Sequence, residues 1–267
     1  MPYARAGDVT LYYELHGEGP PLVLFNGLGA NLATWDPEFI GALARSFRTL
    51  VFDNRGTGRS DQPDHPYTMQ TFAADGAALL DALGWQRAHV FGASMGGMIA
   101  QQFALDYPAR VDRLILCCSA PGGAHMTPPS LEALEAIANT DGLPPPEATR
   151  NIRRFAFTPG FIARHEAYLD AKLRREVEYP TPAFALAHHF AAAVGFNVYE
   201  RLPTLEHQTL LMVGREDQMV PAPNSLLLLQ QLPHADLVVF GNAGHGVLTE
   251  RRADCLQTII GFLQQAA

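Results

Sequence analysis

The sequence predicts an α/β domain: a mostly parallel, eight-stranded sheet with helices on both faces and one helical insertion. Three observations predict it. Short runs apolar on both faces recur along the chain, as strands buried between two helix layers require. Segments with helical spacing of apolar residues separate most of these runs, and such alternation marks a parallel sheet. The alternation stops once, between Pro121 and Pro203, and then resumes. The length, 267 residues, is one that α/β folds carry as a single domain.

Residues 3–6 and 9–15 flank Gly7-Asp8, a pair suited to a tight turn, and read as a hairpin. Leu22-Val23-Leu24-Phe25 is the first two-faced apolar run and ends at Asn26-Gly27. Residues 50–52, 88–91, 114–116, 210–213 and 237–240 repeat its character and complete eight strands. Between them, residues 71–83 carry Phe72, Leu79, Leu80 and Leu83 on an alanine-rich background. Met95, Met98, Ile99 and Phe103 recur at helical spacing and stop before Pro108. From 121 to 203 no strong strand run occurs. Residues 131–139, 161–177 and 183–194 read helical there, with Pro128-Pro129 and Pro144-Pro145-Pro146 as punctuation. The expected division is a core of 1–120 and 204–267, with 121–203 as a helical cap over the sheet.

Composition excludes several classes of function. Hydrophobic residues make up 48%, enough for a sizeable core. There are 19 basic against 27 acidic side chains, a net charge of −8, with no block of like charges. No basic stripe is present, so a nucleic-acid partner is not expected. Three cysteines, Cys117, Cys118 and Cys255, are too few and too unevenly placed for a disulfide framework. Cys117 and Cys118 continue the run 114–116 and read as part of a buried strand; a reducing cytoplasm suits them. The N-terminus lacks an apolar signal region, and no apolar run approaches the roughly 20 residues that span a bilayer. A soluble, cytoplasmic protein with no membrane partner is the expectation, and the sequence is silent on oligomeric state. His188 and His189 are adjacent on one helix and point apart, a poor metal pair. No other His/Cys/Asp set has metal-ligand spacing and no phosphate-binding glycine loop occurs, so neither a metal nor a cofactor is expected.

The chemistry concentrates at the ends of strands. Gly92-Ala93-Ser94-Met95-Gly96 matches G-x-S-x-G, follows the run 88–91 and opens a helix at Met95. That context lifts a serine hydroxyl clear of the sheet on a tight turn, which is why small residues flank it. A serine is a weak nucleophile until a base takes its proton. His245, in Gly241-Asn242-Ala243-Gly244-His245-Gly246 after the run 237–240, is the candidate base. Loops at this edge of a parallel sheet are where such sites form. The orienting acid should lie between the two in chain order. Asp217 is the choice and Glu216, beside Arg215, the competitor. A buried aspartate hydrogen-bonded to the imidazole fixes its tautomer and stabilises the imidazolium.

Together these residues resemble the α/β-hydrolase superfamily over nearly the whole chain. Four stretches carry the resemblance: Phe25-Asn26-Gly27-Leu28-Gly29, Asp53-Asn54-Arg55-Gly56-Thr57-Gly58-Arg59-Ser60, the Ser94 turn, and 214–221 with Gly244-His245. The resemblance implies an oxyanion hole made by the backbone N–H groups of Leu28 and Met95. Arg55 reads as a cation anchoring its loop rather than a substrate ligand. Many relatives carry His-Gly where this chain has Asn26-Gly27; an asparagine there is similar to 3-oxoadipate enol-lactonases. Asn26 either orients the oxyanion loop or reaches the substrate with its amide.

A serine at the turn excludes the aspartate-dependent dehalogenase and epoxide hydrolase branches. What remains is acyl transfer to water. The expected substrate is a small, fairly apolar carboxylic ester or lactone. Alternatives are an enol-lactonase or C–C bond hydrolase of aromatic catabolism, a cofactor-free haloperoxidase or perhydrolase, and a non-catalytic ligand receptor on the same scaffold. Phe155, Phe157, Phe161, Phe184, Phe190 and Phe196 enrich the insertion. They read as core, or as an apolar pocket where they face the cleft; Phe184 and Phe190 are the candidate substrate contacts.

Overall fold

Strands β1 (Tyr3–Ala6), β2 (Val9–His16), β3 (Pro21–Phe25), β4 (Arg48–Phe52), β5 (Ala88–Ala93), β6 (Val111–Cys117), β7 (Thr209–Gly214) and β8 (Ala235–Phe240) form one sheet, ordered β1-β2-β4-β3-β5-β6-β7-β8. β2 runs antiparallel to both of its neighbours, and every other pair is parallel. The hairpin forms where expected: Ala6 pairs with Val9, and Gly7 takes a φ of +58° that favours glycine. The computed structural model describes residues 2–138 and 145–265. Asn139 and Pro144, and the expected core limits at Met1, Ala266 and Ala267, lie outside the described residues.

Helices α1 (Pro37–Leu43), α2 (Met69–Ala82) and α3 (Met95–Asp106) follow the first strands. Between β6 and β7 come α4 (Leu131–Ala138), α5 (Pro145–Ala156), α6 (Pro159–Glu176) and α7 (Ala183–Val194). Then α8 (Pro223–Gln231), α9 (Val247–Glu250) and α10 (Arg252–Leu263) close the chain. Four of these helices open on proline, whose missing N–H is no loss in a first turn; at Pro182 the ring stands one residue earlier, before α7. The prolines at 144–146 were expected only to punctuate, yet Pro145 and Pro146 begin α5.

The two-faced strands are explained by what covers them. Val23, Phe25, Leu50, Val90, Leu114 and Leu211 pack on one face with Phe72 and Leu80 of α2, Ile99 and Phe103 of α3 and Leu228 of α8. Leu22, Leu24, Val51, Phe91, Ile115 and Met212 pack on the other with Phe39 of α1, Val247 of α9 and Ile259 of α10. Cutting fully buried Phe25 or Phe91 to alanine would cost about 3–5 kcal/mol. No helix among the described residues is long and apolar enough to cross a membrane.

Candidate active site

The parallel strands all end at one edge, and Ser94, Asp217 and His245 each sit in the loop just past a strand. Ser94 follows β5 with φ +58° and ψ −124°, a conformation an L-residue holds only at a cost of about 1–3 kcal/mol. The residues two before and two after it must be glycine. A Cβ on Gly92 would lie 2.2 Å from the Gly96 carbonyl oxygen, and one on Gly96 would lie 2.1 Å from that of Phe25. The Ser94 N–H donates to Cys117 O at 2.9 Å, tying the turn to β6.

Asp217 lies past β7 and is buried. Its Oδ1 accepts the N–H groups of Met219 (2.9 Å) and Val220 (2.8 Å), and its Oδ2 lies 2.8 Å from His245 Nδ1. Ser94 and His245 line one cavity of about 870 Å³. Nδ1 being taken, Nε2 is the imidazole nitrogen free to face a substrate or the serine. Burial opposes charging His245, but the adjacent Asp217 carboxylate outweighs it and raises the imidazole pKa.

Glu216 is exposed and does not approach His245. Its carboxylate instead accepts the N–H groups of Asn242 (3.3 Å) and Ala243 (2.9 Å), holding the histidine loop from outside. Glu250 holds the same loop from within. Its Oε2 accepts Gly244 N–H at 2.6 Å, while its Oε1 accepts Thr158 N–H at 2.8 Å and the Thr158 hydroxyl at 2.7 Å. Gly246 N–H donates to Ala156 O at 2.6 Å, and a Cβ there would meet Phe157 at 2.2 Å. Neither role was visible in sequence; the partners of Glu250 are 92 residues away in Thr158 and only six in Gly244.

The loop after β3 closes the site opposite. Gly27 approaches Ser94 closely enough that a Cβ would lie 3.4 Å from Ser94 Cβ. Asn26 borders the cavity, but its amide serves its own loop, with Oδ1 accepting Gly27 N–H at 2.9 Å and Nδ2 donating to Asn31 O at 2.6 Å. Of the two readings of Asn26, these bonds support orientation of the oxyanion loop, since both ends of the amide engage backbone. Leu28 also borders the cavity, and its N–H has no hydrogen-bond partner among the described residues. Met95 opens α3, so its N–H has no helical partner. Arg55 is buried away from the cavity, with Nε and Nη2 each 2.7 Å from Asp75, an anchor rather than a ligand.

Helices α4 to α7 contribute much of the cavity wall, including Leu134, Ile152, Leu169, Leu186 and Phe190. On α7 the lining residues are Ala183, Leu186, Phe190, Ala193 and Val194. Phe184 is absent from that face. It sits about 100° round the helix from Ala183, is exposed, and packs edge-on against His188. The expectation that Phe184 contacts substrate is therefore corrected, whereas Phe157, Phe190 and Phe196 do line the cavity. Its charged lining is paired, Lys172 with Glu176 at 2.9 Å and Arg153 with Asp170 at 3.0 Å.

Cys118 is buried in the core as expected, but it is not part of the strand. β6 ends at Cys117, and Cys118 turns out of it with φ +49°, packing in the core cluster while also bordering the cavity. Its sulfur, an Asp217 carboxylate oxygen and a His245 ring nitrogen lie within 4.8 Å of one another. No spacing in the sequence announced this trio, because three strand ends supply it. Asp217 and His245 are already hydrogen-bonded, so a cation would be held there only by breaking that bond.

A profile described as alpha/beta hydrolase fold matches residues 20–251. The chain is 34% identical over 236 residues to RutD of Azorhizobium caulinodans, to which its name provisionally assigns carbamate hydrolysis; the match covers 88% of each protein. It is 33% identical over 249 residues to a poly(3-hydroxyalkanoate) depolymerase of Ectopseudomonas oleovorans, covering 92% of this chain and 84% of that one. Among solved structures it is similar to the enol-lactonase of Burkholderia xenovorans LB400, with TM-score 0.86, 27% identity and coverage of 99% and 100%.

Proposed function

We propose, from the premise that this chain belongs to the alpha/beta hydrolase fold family, that it is a serine hydrolase cleaving a fairly apolar carboxylic ester or lactone through an acyl-enzyme on Ser94. The observation that carries the reading is the opening of Ser94, on its strained turn, and of His245, backed by the buried Asp217, into one cavity.

His245 Nε2 takes the Ser94 hydroxyl proton as Oγ attacks the acyl carbon. Asp217 keeps Nδ1 protonated and stabilises the imidazolium that forms. The carbonyl oxygen becomes an oxyanion held by the N–H groups of Leu28 and Met95; one such donor contributes about 3–4 kcal/mol. As the tetrahedral adduct collapses, the bond to the alkoxy group breaks and His245 gives that oxygen the proton. Water then attacks the acyl-enzyme with His245 as base, releasing the acid and restoring Ser94.

Residues 121–203 act in this reading as a cap that roofs the cleft and excludes water. The cavity, about 870 Å³ and walled largely by apolar residues, Leu, Ala, Phe and Met prominent among them, has room for an acyl group well beyond acetyl. Carbamates and polyesters, named for the two relatives, undergo the same attack at an acyl carbon, and so do enol-lactones. The test is a panel of p-nitrophenyl esters of rising chain length, lactones, an aryl carbamate and a dienoate, together with a fluorophosphonate probe. Turnover with Ser94 labelled, and both lost in Ser94→Ala, is expected. Labelling elsewhere with activity retained in Ser94→Ala overturns the assignment, and absence of turnover across the panel favours the ligand-receptor alternative.

A further inference from the structure

His189 is a fully buried imidazole that the proposed chemistry does not use. It lies on α7, one residue short of Phe190, yet it does not face the cavity. Its ring is wedged edge-on against Phe72 (4.9 Å between centroids) and Tyr67 (5.7 Å). Both nitrogens end on backbone. Nδ1 accepts the Gly29 N–H at 3.3 Å, and Nε2 lies 2.8 Å from the Arg55 carbonyl oxygen. Only one assignment satisfies both: a neutral ring with its proton on Nε2. Burial agrees, pushing the imidazole pKa down to about 4.

Gly29 is held on its other side as well. The Thr181 hydroxyl donates to Gly29 O at 2.8 Å. Gly29 itself takes φ +63°, and a Cβ there would lie 2.6 Å from Leu186 Cδ1. Two residues on, Asn31 Nδ2 donates to the carbonyls of Glu176 (2.8 Å) and Tyr179 (2.9 Å). The loop 26–31 thus rests on the segment 176–189 through four hydrogen bonds. The consequence for consecutive amides is specific. Gly27 N–H is taken by Asn26 Oδ1, Gly29 N–H is taken by His189 Nδ1, and the Leu28 N–H between them is left free beside the cavity.

We propose that His189 and Thr181 are positioning residues that set the aim of the Leu28 N–H by clamping Gly29 from the cap. The inference rests on the reading of Leu28 as an oxyanion donor. An oxyanion donor stabilises only if it is pre-aimed, since reorientation during reaction would consume the gain. The clamp touches neither substrate nor reacting atoms. Its loss should therefore weaken binding of the transition state more than binding of the ground state.

The experiment compares His189→Ala, His189→Gln, Thr181→Val and Thr181→Ser with the unaltered protein. The readouts are kcat and KM on p-nitrophenyl acetate and hexanoate, the affinity of a trifluoromethyl ketone that forms the tetrahedral adduct, and the affinity of the carboxylate product. His189→Ala should lower kcat about 10²-fold, the lower end of the loss of a whole oxyanion donor. The ketone should weaken in parallel while KM and product affinity move less than about threefold, alike for both esters. Glutamine, which can accept and donate, should recover part of the loss. Thr181→Val should lower kcat about tenfold and Thr181→Ser restore it; this pair decides should His189→Ala fail to fold. Folded variants with kcat and ketone affinity unchanged, or with ketone and product weakened equally, overturn the proposal. Fluorophosphonate labelling of Ser94 in the unaltered protein separates the two levels: without it the functional reading falls and this inference with it, whereas labelled but unresponsive variants sink the clamp alone.

Discussion

Asp217→Asn exchanges one atom and tests the acid directly. Asp217 Oδ1 accepts two backbone N–H groups, those of Met219 and Val220, at 2.9 and 2.8 Å. Asparagine keeps its oxygen there, because turning the amide would set NH2 against two donors. Its Nδ2 then faces His245 Nδ1, which stands 2.8 Å from the aspartate oxygen it replaces. Nδ1 must accept, so the ring proton moves to Nε2, the nitrogen that has to receive the serine proton. The prevailing tautomer is inert. An analogous exchange in another serine hydrolase triad lowers kcat about 10⁴-fold, which at about 1.36 kcal/mol per decade is roughly 5.5 kcal/mol of barrier. The side chain is nearly isosteric and its backbone bonds survive, so the melting temperature should move by only a few degrees. Initial rates on p-nitrophenyl acetate, with thermal melts as the control on folding, give the answer. A loss below tenfold in a folded variant, or a larger loss in Glu216→Gln, would refute the reasoning and point to the wrong carboxylate.

Three further outcomes are expected. Phe190→Ala should change the ranking among acyl chain lengths more than the rate on acetate, and exposed Phe184→Ala should leave the ranking alone; kcat/KM across the ester series reads both. His245 must be neutral to act as base, and Asp217 raises its pKa, so activity should fall with decreasing pH at a midpoint above the ordinary 6.5. Removing that charge in Asp217→Asn should move the residual acid limb downward, and an unmoved limb in the pH–rate profile would contradict this. The Cys118 thiol, hydrogen-bonded with Cys117 and buried, is pushed well above the ordinary thiol range. Iodoacetamide at pH 8 should therefore leave it unmodified in the folded protein and label it after denaturation, as read by mass spectrometry.

The parts of this fold that could be read from sequence are those written in contiguous residues. β3 to β7 are two-faced runs because helices cover both faces, so each strand advertises itself without knowledge of its partner; β8, at the sheet edge, keeps the apolar run although Val239 is exposed. Ser94, Asp217 and His245 were legible because each sits in a short glycine-bearing loop just past such a run. α7 was read at its observed bounds, 183–194, but not its orientation: nothing local says that Phe190 turns inward and Phe184 outward. Helix α5 was not among the segments read as helical, because the prolines at its start read as breakers, although in a first turn proline is favoured. Cys118, Glu250 and His189 were opaque for a different reason. Their meaning lies in partners brought from other strand ends, 160 residues away for His189 and Gly29, and no local pattern records such pairings.

The Glu250 carboxylate bridges Gly244 to Thr158, Gly246 donates to Ala156, and Gly29 is gripped from 181 and 189. If the segment between β6 and β7 is the proposed roof, both walls of the cleft are bolted to it, one at the His245 loop and one at the loop after β3. A roof fastened at two opposed edges does not swing like a flap. Passage of substrate has to come from side-chain motion or from fraying between the bolts. For chimaeras the same fact sets a rule of exchange. A foreign roof grafted between β6 and β7 should work when it carries a hydroxyl where Thr158 stands and an acceptor where His189 stands. Grafts that keep the lining residues but drop those two should fold into well-shaped yet sluggish enzymes.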